Sequence, residues 1–473
     1  MKITLIGLGV NDGDLSLKAY KKIKSSENII VKTSLTESYK IFKDENIKNE
    51  TLDKIYESTK NFDTLNKKLA AYVLNEAKSR EIIYCVDGSA ECDTSAKIII
   101  KKHKDTEVFG GISKGSACLA KLGIPENSFM SVSAYDALKI ERFTLPLVVY
   151  DIDNNFTAGS LKLKLADLFG DETPCFMFRH GKYNKMRLCE TDYGDDFDYS
   201  CVLVIPQMPL TEKQRYNSDD LFEILKVLRS ENGCPWDKVQ TKESIRVNMI
   251  EEAYELVDAI NRDDDDMIKE EIGDVVLQAE FHILFGEERG AFTKSDVLTG
   301  ICKKLIERHT HIFGVDKAKD EKSALDIWDK NKRKEKGYTC GGEYLKAVPN
   351  NFPAAMRAEK VMNRAKKYNF EFENVEQIFD KIDEEIGEVR AEIISGNKQK
   401  LKMECGDLLA SSVNAVRFLG IECEEALTLS TEKFINRFSA LEQLILSDGK
   451  DIKNLTPAEI DVYYNEVKKS ENR

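Results

Sequence analysis

The chain has 473 residues, of which 42% are hydrophobic and 32% are charged, and its formal net charge is -13 at pH 7. One hydrophobic core cannot serve this length, so we expect two to four domains of ordinary globular composition. The negative charge argues against stable nucleic-acid binding, which requires a basic surface, and no apolar run approaches the roughly 20 residues that span a bilayer.

The cysteines and histidines exclude several classes of metal site. The eleven cysteines are scattered singly, without a CxxC, and the five histidines are dispersed apart from His309 and His311. With no secretory cleavage motif near the N-terminus, this pattern predicts a cytoplasmic protein. A bound metal would therefore have oxygen ligands, which Mg²⁺ or Mn²⁺ prefer.

Residues 1–208 alternate short β-rich runs with helical stretches. The helical stretches include 15–25 and 61–79, and the apolar runs are KITLIGLG, EIIYCVDG, TEVFGGIS, LPLVVYDI, TPCFMFRHG and YSCVLVIP. Such alternation predicts an α/β region with substantial parallel sheet.

Beyond Pro206 and Pro209 the pattern becomes long, amphipathic and helical. The glycine-rich segment KGYTCGG is a candidate linker within this part. We therefore predict a multidomain chain with an α/β domain at 1–208 and two all-α domains at 215–336 and 343–473.

Carboxylates flank the apolar stripe of a predicted helix in IEEAYELVDAI, residues 250–260. The stripe is formed by Met249, Leu256 and Ile260, with Glu252 and Glu255 beside it. A carboxylate near apolar packing is costly without a partner, although exposed acids are also common on amphipathic helices.

A second acidic pair, Glu271 and Asp274, repeats this i, i+3 arrangement after the polar connection NRDDDD. The two helices would be antiparallel neighbours, so the four carboxylates would converge. All four recur 133 positions later, as Glu385, Glu388, Glu404 and Asp407. Packing does not explain why these positions stay acidic. The recurrence therefore predicts a repeated structural unit in which the four carboxylates must have the same geometry.

The N-terminal region resembles the tetrapyrrole methylase family. The resemblance rests on GLG at 7–9, Asp12, GIS at 111–113, LxKLGIP at 119–125 and TAG at 157–159. It implies two α/β lobes with S-adenosylmethionine in the cleft between them. The implied cofactor-binding residues are Gly7, Gly9, Asp12, Gly88, Gly111 and Ser113.

Two departures from the methylase pattern weigh against methyl transfer. The usual GLGPGD is GLGVND here, and the usual PG[HD]P loop is DGSA at 87–90. The loop loses its prolines, which fix the backbone, and gains the negative charge of Asp87 beside a pocket for a carboxylate-bearing cofactor. We therefore expect a degenerate methylase-like domain.

The helical part resembles the MazG nucleotide pyrophosphohydrolase family, in two copies. The first copy carries GCPWD at 233–237, both acidic pairs, KLIERHTHIFG at 304–314 and Trp328. The second carries Arg357, Ala358 and Lys360, both acidic pairs and KFINRF at 433–438. This resemblance implies Mg²⁺-dependent hydrolysis of nucleoside triphosphates to a monophosphate and pyrophosphate.

The resemblance also implies roles for the repeated residues. The eight carboxylates of the acidic pairs are the expected metal ligands, and Glu251 or Glu384 is a candidate general base for water. Lys304 with Arg308, and Lys433 with Arg437, place two cations on one helical face, where they could hold phosphate. Trp236 could stack on the nucleobase or anchor a turn.

Each acidic hairpin is too small to bury its apolar stripe alone. Pairing with another hairpin would complete a four-helix bundle, so we expect a homodimer or an intramolecular pseudo-dimer. Two other functions stay open at this point. One is an S-adenosylmethionine-dependent methyltransferase with a helical dimerisation scaffold, and the other is a nucleotide sensor that binds without turnover.

Overall fold

The computed structural model describes residues 1–59, 62–125 and 127–471. The protein forms two compact units, Met1–Lys294 and Ser295–Arg473. The first unit holds an α/β region followed by helices, and the second unit is helical. The α/β region and the helical remainder that the sequence predicts are both observed.

Five strands form the first sheet, in the order β3-β2-β4-β1-β5, and every neighbouring pair is parallel. The strands are β1 (Ile3–Gly7), β2 (Ile29–Val31), β3 (Glu50–Thr51), β4 (Ile82–Val86) and β5 (Thr106–Phe109). The helices of this part are α1 (Leu17–Lys24), α2 (Lys40–Asp44), α3 (Asp53–Glu57), α4 (Phe62–Glu76), α5 (Thr94–Lys102) and α6 (Lys114–Leu122). The predicted helix at 61–79 starts at Asn61, which lies outside the described residues.

The second sheet is mixed, in the order β6-β7-β10-β8-β9. Only the β6–β7 pair is parallel. Its strands are β6 (Met130–Ser133), β7 (Leu147–Tyr150), β8 (Pro174–Arg179), β9 (Lys182–Arg187) and β10 (Val202–Ile205), and its own helices are α7 (Ala134–Ala137) and α8 (Asn155–Phe169). Helix α6 packs on this sheet through Cys118 and Leu119, although it follows the first sheet in sequence.

Helices make up the remainder of the described chain, apart from short connections. In the first unit they are α9 (Ser218–Arg229), α10 (Pro235–Val239), α11 (Asn248–Asn261) and α12 (Asp265–Glu288). Those that follow are α13 (Lys294–Arg308), α14 (Thr310–Phe313), α15 (Glu321–Lys336), α16 (Gly341–Lys346), α17 (Ala354–Lys366), α18 (Val375–Ser395), α19 (Lys398–Phe418), α20 (Cys423–Ser447) and α21 (Pro457–Glu471). Four 3-10 helices are Glu37–Tyr39, Leu188–Glu190, Leu210–Glu212 and Ile452–Asn454.

Each sheet and helical group has its own apolar core. Both faces of the first sheet are covered, by α4 and α5 on one side and by α1 and α2 on the other. In the helical part of the first unit, Phe222 and Leu225 of α9 pack on Phe281, Leu284 and Phe285 of α12. Among the described residues, no helix combines the length and the hydropathy that crossing a membrane requires.

Candidate metal centres

The first acidic hairpin consists of α11 and α12. Asp264 ends the connection and caps α12, because its side chain accepts hydrogen bonds from the backbone N–H groups of Asp266 and Met267, both at 3.1 Å. Of the α11 side chains, Ala259 is buried and Ile260 is 54% exposed, so the apolar stripe is less buried than the sequence pattern suggests.

Three of the four predicted ligands of this hairpin converge. One carboxylate oxygen from each of Glu252, Glu271 and Asp274 lies within 4.8 Å of the other two. Glu255 is exposed and lies outside this group of three. We call Glu252, Glu271 and Asp274 the first acidic cluster.

Mutual repulsion is evident in the first acidic cluster. Burial raises the pKa of Glu252, and the charges of Asp274 and Glu255 raise it further. Burial, then Glu255 and Asp274, likewise raise the pKa of Glu271. The buried amide of Gln278 donates to Glu252 Oε1 at 3.4 Å, which is a long contact for a hydrogen bond. A cation would relieve this repulsion.

The second acidic hairpin, formed by α18 and α19, repeats the arrangement. Carboxylate oxygens of Glu385, Glu404 and Asp407 lie within 4.8 Å of one another, and we call these residues the second acidic cluster. Glu388 is again exposed and outside the group. Partial desolvation raises the pKa of Glu388, and the charges of Glu385 and Glu404 raise it further.

Glu385 is the most buried ligand of either cluster, at 4% exposure. Its Oε1 pairs with Lys381 Nζ at 2.8 Å, and the same ammonium pairs with Glu384 at 2.9 Å. Its Oε2 is buried and has no hydrogen-bond partner in the described part of the chain. A buried carboxylate oxygen without a partner is costly, so the donor set fits a hard divalent cation.

The candidate general bases lie beside the clusters. Glu251 and Glu384 are both exposed, and each directly precedes a cluster residue in sequence. Glu384 forms an ion pair with Lys381. The charge of Glu251 raises the pKa of the neighbouring Glu252.

The predicted phosphate-binding pairs lie on α13 and α20, both in the helical second unit from Ser295 onward. Lys304 and Lys433 are exposed, and Arg308 and Arg437 are half-buried. Arg308 Nε pairs with Glu335 at 2.8 Å, and this hydrogen bond lowers the pKa of Glu335.

Trp236 is 60% exposed. A different indole lies beside a basic pair. The Arg308 guanidinium stacks over Trp328 at 5.2 Å, and Lys332 Nζ lies 4.7 Å from the same ring centroid. Tyr464 and Lys468 repeat this i, i+4 pair on α21 at 4.8 Å.

Trp328 and Lys332 line a cavity of about 530 Å³ in the second unit, with further basic residues Lys360, Arg364 and Lys367. Burial lowers the pKa of Lys332, and the charges of Arg308 and Arg364 lower it further. Sequence reasoning missed this cavity, which four basic and three acidic side chains line, because its residues come from separate helices. The aromatic–lysine spacing on α15 was the signal that could have revealed it.

The predicted cofactor loops meet at the carboxyl edge of the first sheet. Gly9 and Gly88 form an isolated bridge, and both have positive φ. A Cβ on Gly7 or Gly111 would lie 2.6 or 2.4 Å from Gly88 O, so packing of these backbones requires the glycines. Asp12 is exposed, and Ser113 caps α6.

Comparison with known proteins identifies the two parts of the chain. Residues 240–313 and 373–440 match the MazG nucleotide pyrophosphohydrolase domain, and residues 2–193 match the tetrapyrrole (corrin/porphyrin) methylases. Nucleoside triphosphate pyrophosphohydrolase/pyrophosphatase MazG of Thermotoga maritima is 39% identical over 53% of this chain and 95% of its own length. The chain belongs to the MazG nucleotide pyrophosphohydrolase family. Both MazG segments include an acidic cluster.

Further relatives agree with this assignment. Nucleoside triphosphate pyrophosphohydrolase of Escherichia coli K12 is 35% identical over 54% of this chain and 97% of its own length. Uncharacterized protein YabN of Bacillus subtilis is 32% identical over 100% of this chain and 99% of its own. The predicted fusion of a methylase-like region with two MazG copies is therefore confirmed. Hydrolases of the MazG type generally depend on a divalent metal, and each MazG copy here supplies an acidic cluster.

Proposed function

We propose that the chain is a Mg²⁺-dependent hydrolase that cleaves nucleoside triphosphates to a nucleoside monophosphate and pyrophosphate. The supporting observation is the pair of acidic clusters, each with three carboxylate oxygens within 4.8 Å. The family of the chain agrees with this chemistry. The three domains 1–208, 215–336 and 343–473 are part of the same proposal.

The carboxylates have two tasks in this proposal. Glu252, Glu271 and Asp274, and separately Glu385, Glu404 and Asp407, would hold the metal, and Glu255 and Glu388 would have to turn inward to complete each set. A bound Mg²⁺ supplies neutralising charge for the phosphates and lowers the pKa of a coordinated water. Glu251 or Glu384 would accept a proton from the attacking water.

The basic and aromatic residues bind the substrate. Lys304 with Arg308, and Lys433 with Arg437, neutralise phosphate oxygens, which Arg can contact bidentately. Trp328, with a cation on its ring, is a better candidate than the isolated Trp236 for stacking on a base. Tyr464 would take this role in the second copy.

The direct test is pyrophosphate release from ordinary and damaged nucleoside triphosphates, with Mg²⁺, Mn²⁺ or EDTA. We expect metal-dependent release by the wild-type chain and its loss when E271Q/D274N and E404Q/D407N are combined. Asp266→Asn and Glu376→Gln, exposed acids on α12 and α18, are the matched controls. Binding of triphosphate without release would indicate a sensor, and unchanged release by the quadruple variant would contradict the proposal.

A homodimer is the oligomeric state that we propose. Ile250, Tyr254 and Val257 of α11, with Ile272 and Val276 of α12, are 40–54% exposed. Apolar side chains exposed on adjacent helices favour burial against a second hairpin. Light scattering after size exclusion should give twice the chain mass, and Val257→Glu should shift it toward the monomer. A monomeric wild-type chain at micromolar concentration would contradict this.

A further inference from the structure

Five charged side chains form a continuous buried network in the methylase-like region. Lys32 Nζ pairs with Asp93 at 2.7 Å and lies 3.9 Å from Asp87 Oδ1. Lys114 Nζ pairs with Asp87 Oδ2 at 2.7 Å and with Asp151 at 2.6 Å. We call these five residues the ion chain.

The ion chain lies deep in the domain. The other four side chains of the ion chain are at most 9% exposed, and Lys114 is 15% exposed. Burial by itself raises the pKa of Asp87, but Lys114 and Lys32 outweigh it and hold this pKa at about 2. Paired charges at this depth depend on one another, because removing one leaves its partner buried and uncompensated.

The ion chain also joins the two sheets. Lys32 follows β2 and Asp87 follows β4, both in the first sheet, whereas Asp151 directly follows β7 of the second sheet. Lys114 is the link, because it begins α6, which packs on the second sheet. Asp151 has a φ of +61°, a strained conformation that surrounding contacts must hold.

The same place is where the methylase resemblance expects the cofactor. Gly88 and Ser113, two predicted cofactor residues, line a space of about 20 Å³ together with Asp87, Lys114 and Asp151. That space has room for about one water molecule. A Cβ on Gly88 would lie 3.4 Å from Lys114 Cγ, so the lysine stem already covers the loop. The residues present do not fit S-adenosylmethionine there.

We infer that the ion chain occupies the cofactor position of the methylase-like domain, so this domain binds no methyl donor and ion pairs join its two sheets at that position. The glycines near the pocket are explained by backbone packing between loops, without a ligand. A wider cavity of about 780 Å³ borders Asp87 and Lys114 from the side of Val10 and Ile112. S-adenosylmethionine bound in this wider cavity would also be detected by the calorimetric titration described next.

The first experiment is calorimetric titration of the full chain with S-adenosylmethionine and with S-adenosylhomocysteine. We expect no saturable binding at ligand concentrations up to about 1 mM. Retained Mg²⁺-dependent pyrophosphate release by the same sample shows that the protein is intact. Saturable binding of either compound near one per chain would overturn the inference.

The second experiment tests the ion chain through thermal unfolding. Lys114→Met should lower the melting temperature, because Asp87 and Asp151 lose their cation, and K114M/D87N/D151N should recover part of the loss. Lys97→Met, on the exposed side of α5, is the matched control. Equal melting temperatures for the Lys114 and Lys97 variants, or no recovery in the triple variant, would overturn the structural role.

Discussion

The two acidic hairpins have the same ligand positions but differ in one neighbouring charge. Lys381 contacts Glu384 and Glu385 in the second hairpin, whereas the position 133 residues earlier is Asn248. The first acidic cluster has instead a long contact from the neutral amide of Gln278. The residue one helical turn before the repeated ligand therefore gives the two clusters different neighbouring charges.

The two copies also differ in how their parts are distributed. The second acidic cluster and the pair Lys433 and Arg437 belong to one compact unit. In the first copy, the cluster belongs to the first unit, and Lys304 with Arg308 belongs to the second. Glu385 Oε2 of the second copy is buried without a hydrogen-bond partner in the described part of the chain, which favours a bound cation, so we expect the second copy to account for more of the turnover.

The largest expected effect is loss of the second acidic cluster. In a chain without the first cluster, E404Q/D407N should lower kcat/KM for pyrophosphate release by roughly a hundred-fold or more, since two metal ligands disappear. Introduced alone into the wild-type chain, E404Q/D407N should remove more activity than E271Q/D274N. Steady-state assays of both variants, with Glu376→Gln as control, measure the contrast. Equal losses in the two double variants would remove the functional difference between the copies.

The reciprocal exchange of Lys381 and Asn248 sharpens the comparison. In a chain without the first cluster, Lys381→Asn should strengthen Mn²⁺ binding about tenfold, because a competing cation leaves the second cluster. In a chain without the second cluster, Asn248→Lys should weaken Mn²⁺ binding to the first cluster about tenfold. Titration followed by electron paramagnetic resonance measures both affinities. Unchanged affinities would show that the lysine does not tune the cluster.

The aromatic residues distinguish the copies at the nucleobase. Trp328→Ala and Tyr464→Ala should each raise KM several-fold, since base stacking contributes about 1–3 kcal/mol per base. Trp236→Ala should leave KM near the wild-type value. Kinetics in each single-cluster background assign each aromatic residue to one copy. If Trp236→Ala raised KM more than Trp328→Ala, Trp236 would again be the better candidate for stacking on the nucleobase.

The smallest expected effect is on stability as a function of pH. The folded-state pKa is raised for Glu252 and Glu271 in the first hairpin and for Glu388 in the second. Their stabilising contribution is therefore present at low pH and is lost as pH rises through the raised pKa values. We expect the melting temperature of the metal-free protein to fall with rising pH. The fall should be steeper in the variant that keeps only the first cluster than in the variant that keeps only the second. Mg²⁺ should cancel the slope, and a slope of opposite sign would contradict the assignment.

Much of the fold could be predicted from the sequence because apolar runs mark buried strands. All six predicted runs contain strands, namely β1, β4, β5, β7, β8 and β10. The strands that sequence reasoning missed lack such a run. Strand β9, KYNKMR, is an exposed and polar edge strand, and β2 has only three residues.

The sequence predicts which helix faces carry the candidate ligands, but it does not predict which carboxylate oxygens converge. The i, i+3 spacing placed Glu255 and Glu388 beside the other ligands, but spacing does not set the direction of a side chain, and both lie outside the groups of three. Lys381 was overlooked, although its i, i+4 spacing to Glu385 is a recognisable ion-pair signal. The ion chain joins residues far apart in sequence, which no local pattern reveals.

We propose that the two acidic clusters are separate cation sites. Equilibrium dialysis with Mn²⁺ is the decisive experiment, because it counts the bound ions per chain in the wild type, in each double variant and in the quadruple variant. We expect each double variant to lose the ions of one cluster and the quadruple variant to bind none tightly. Undiminished Mn²⁺ binding by the quadruple variant would contradict it.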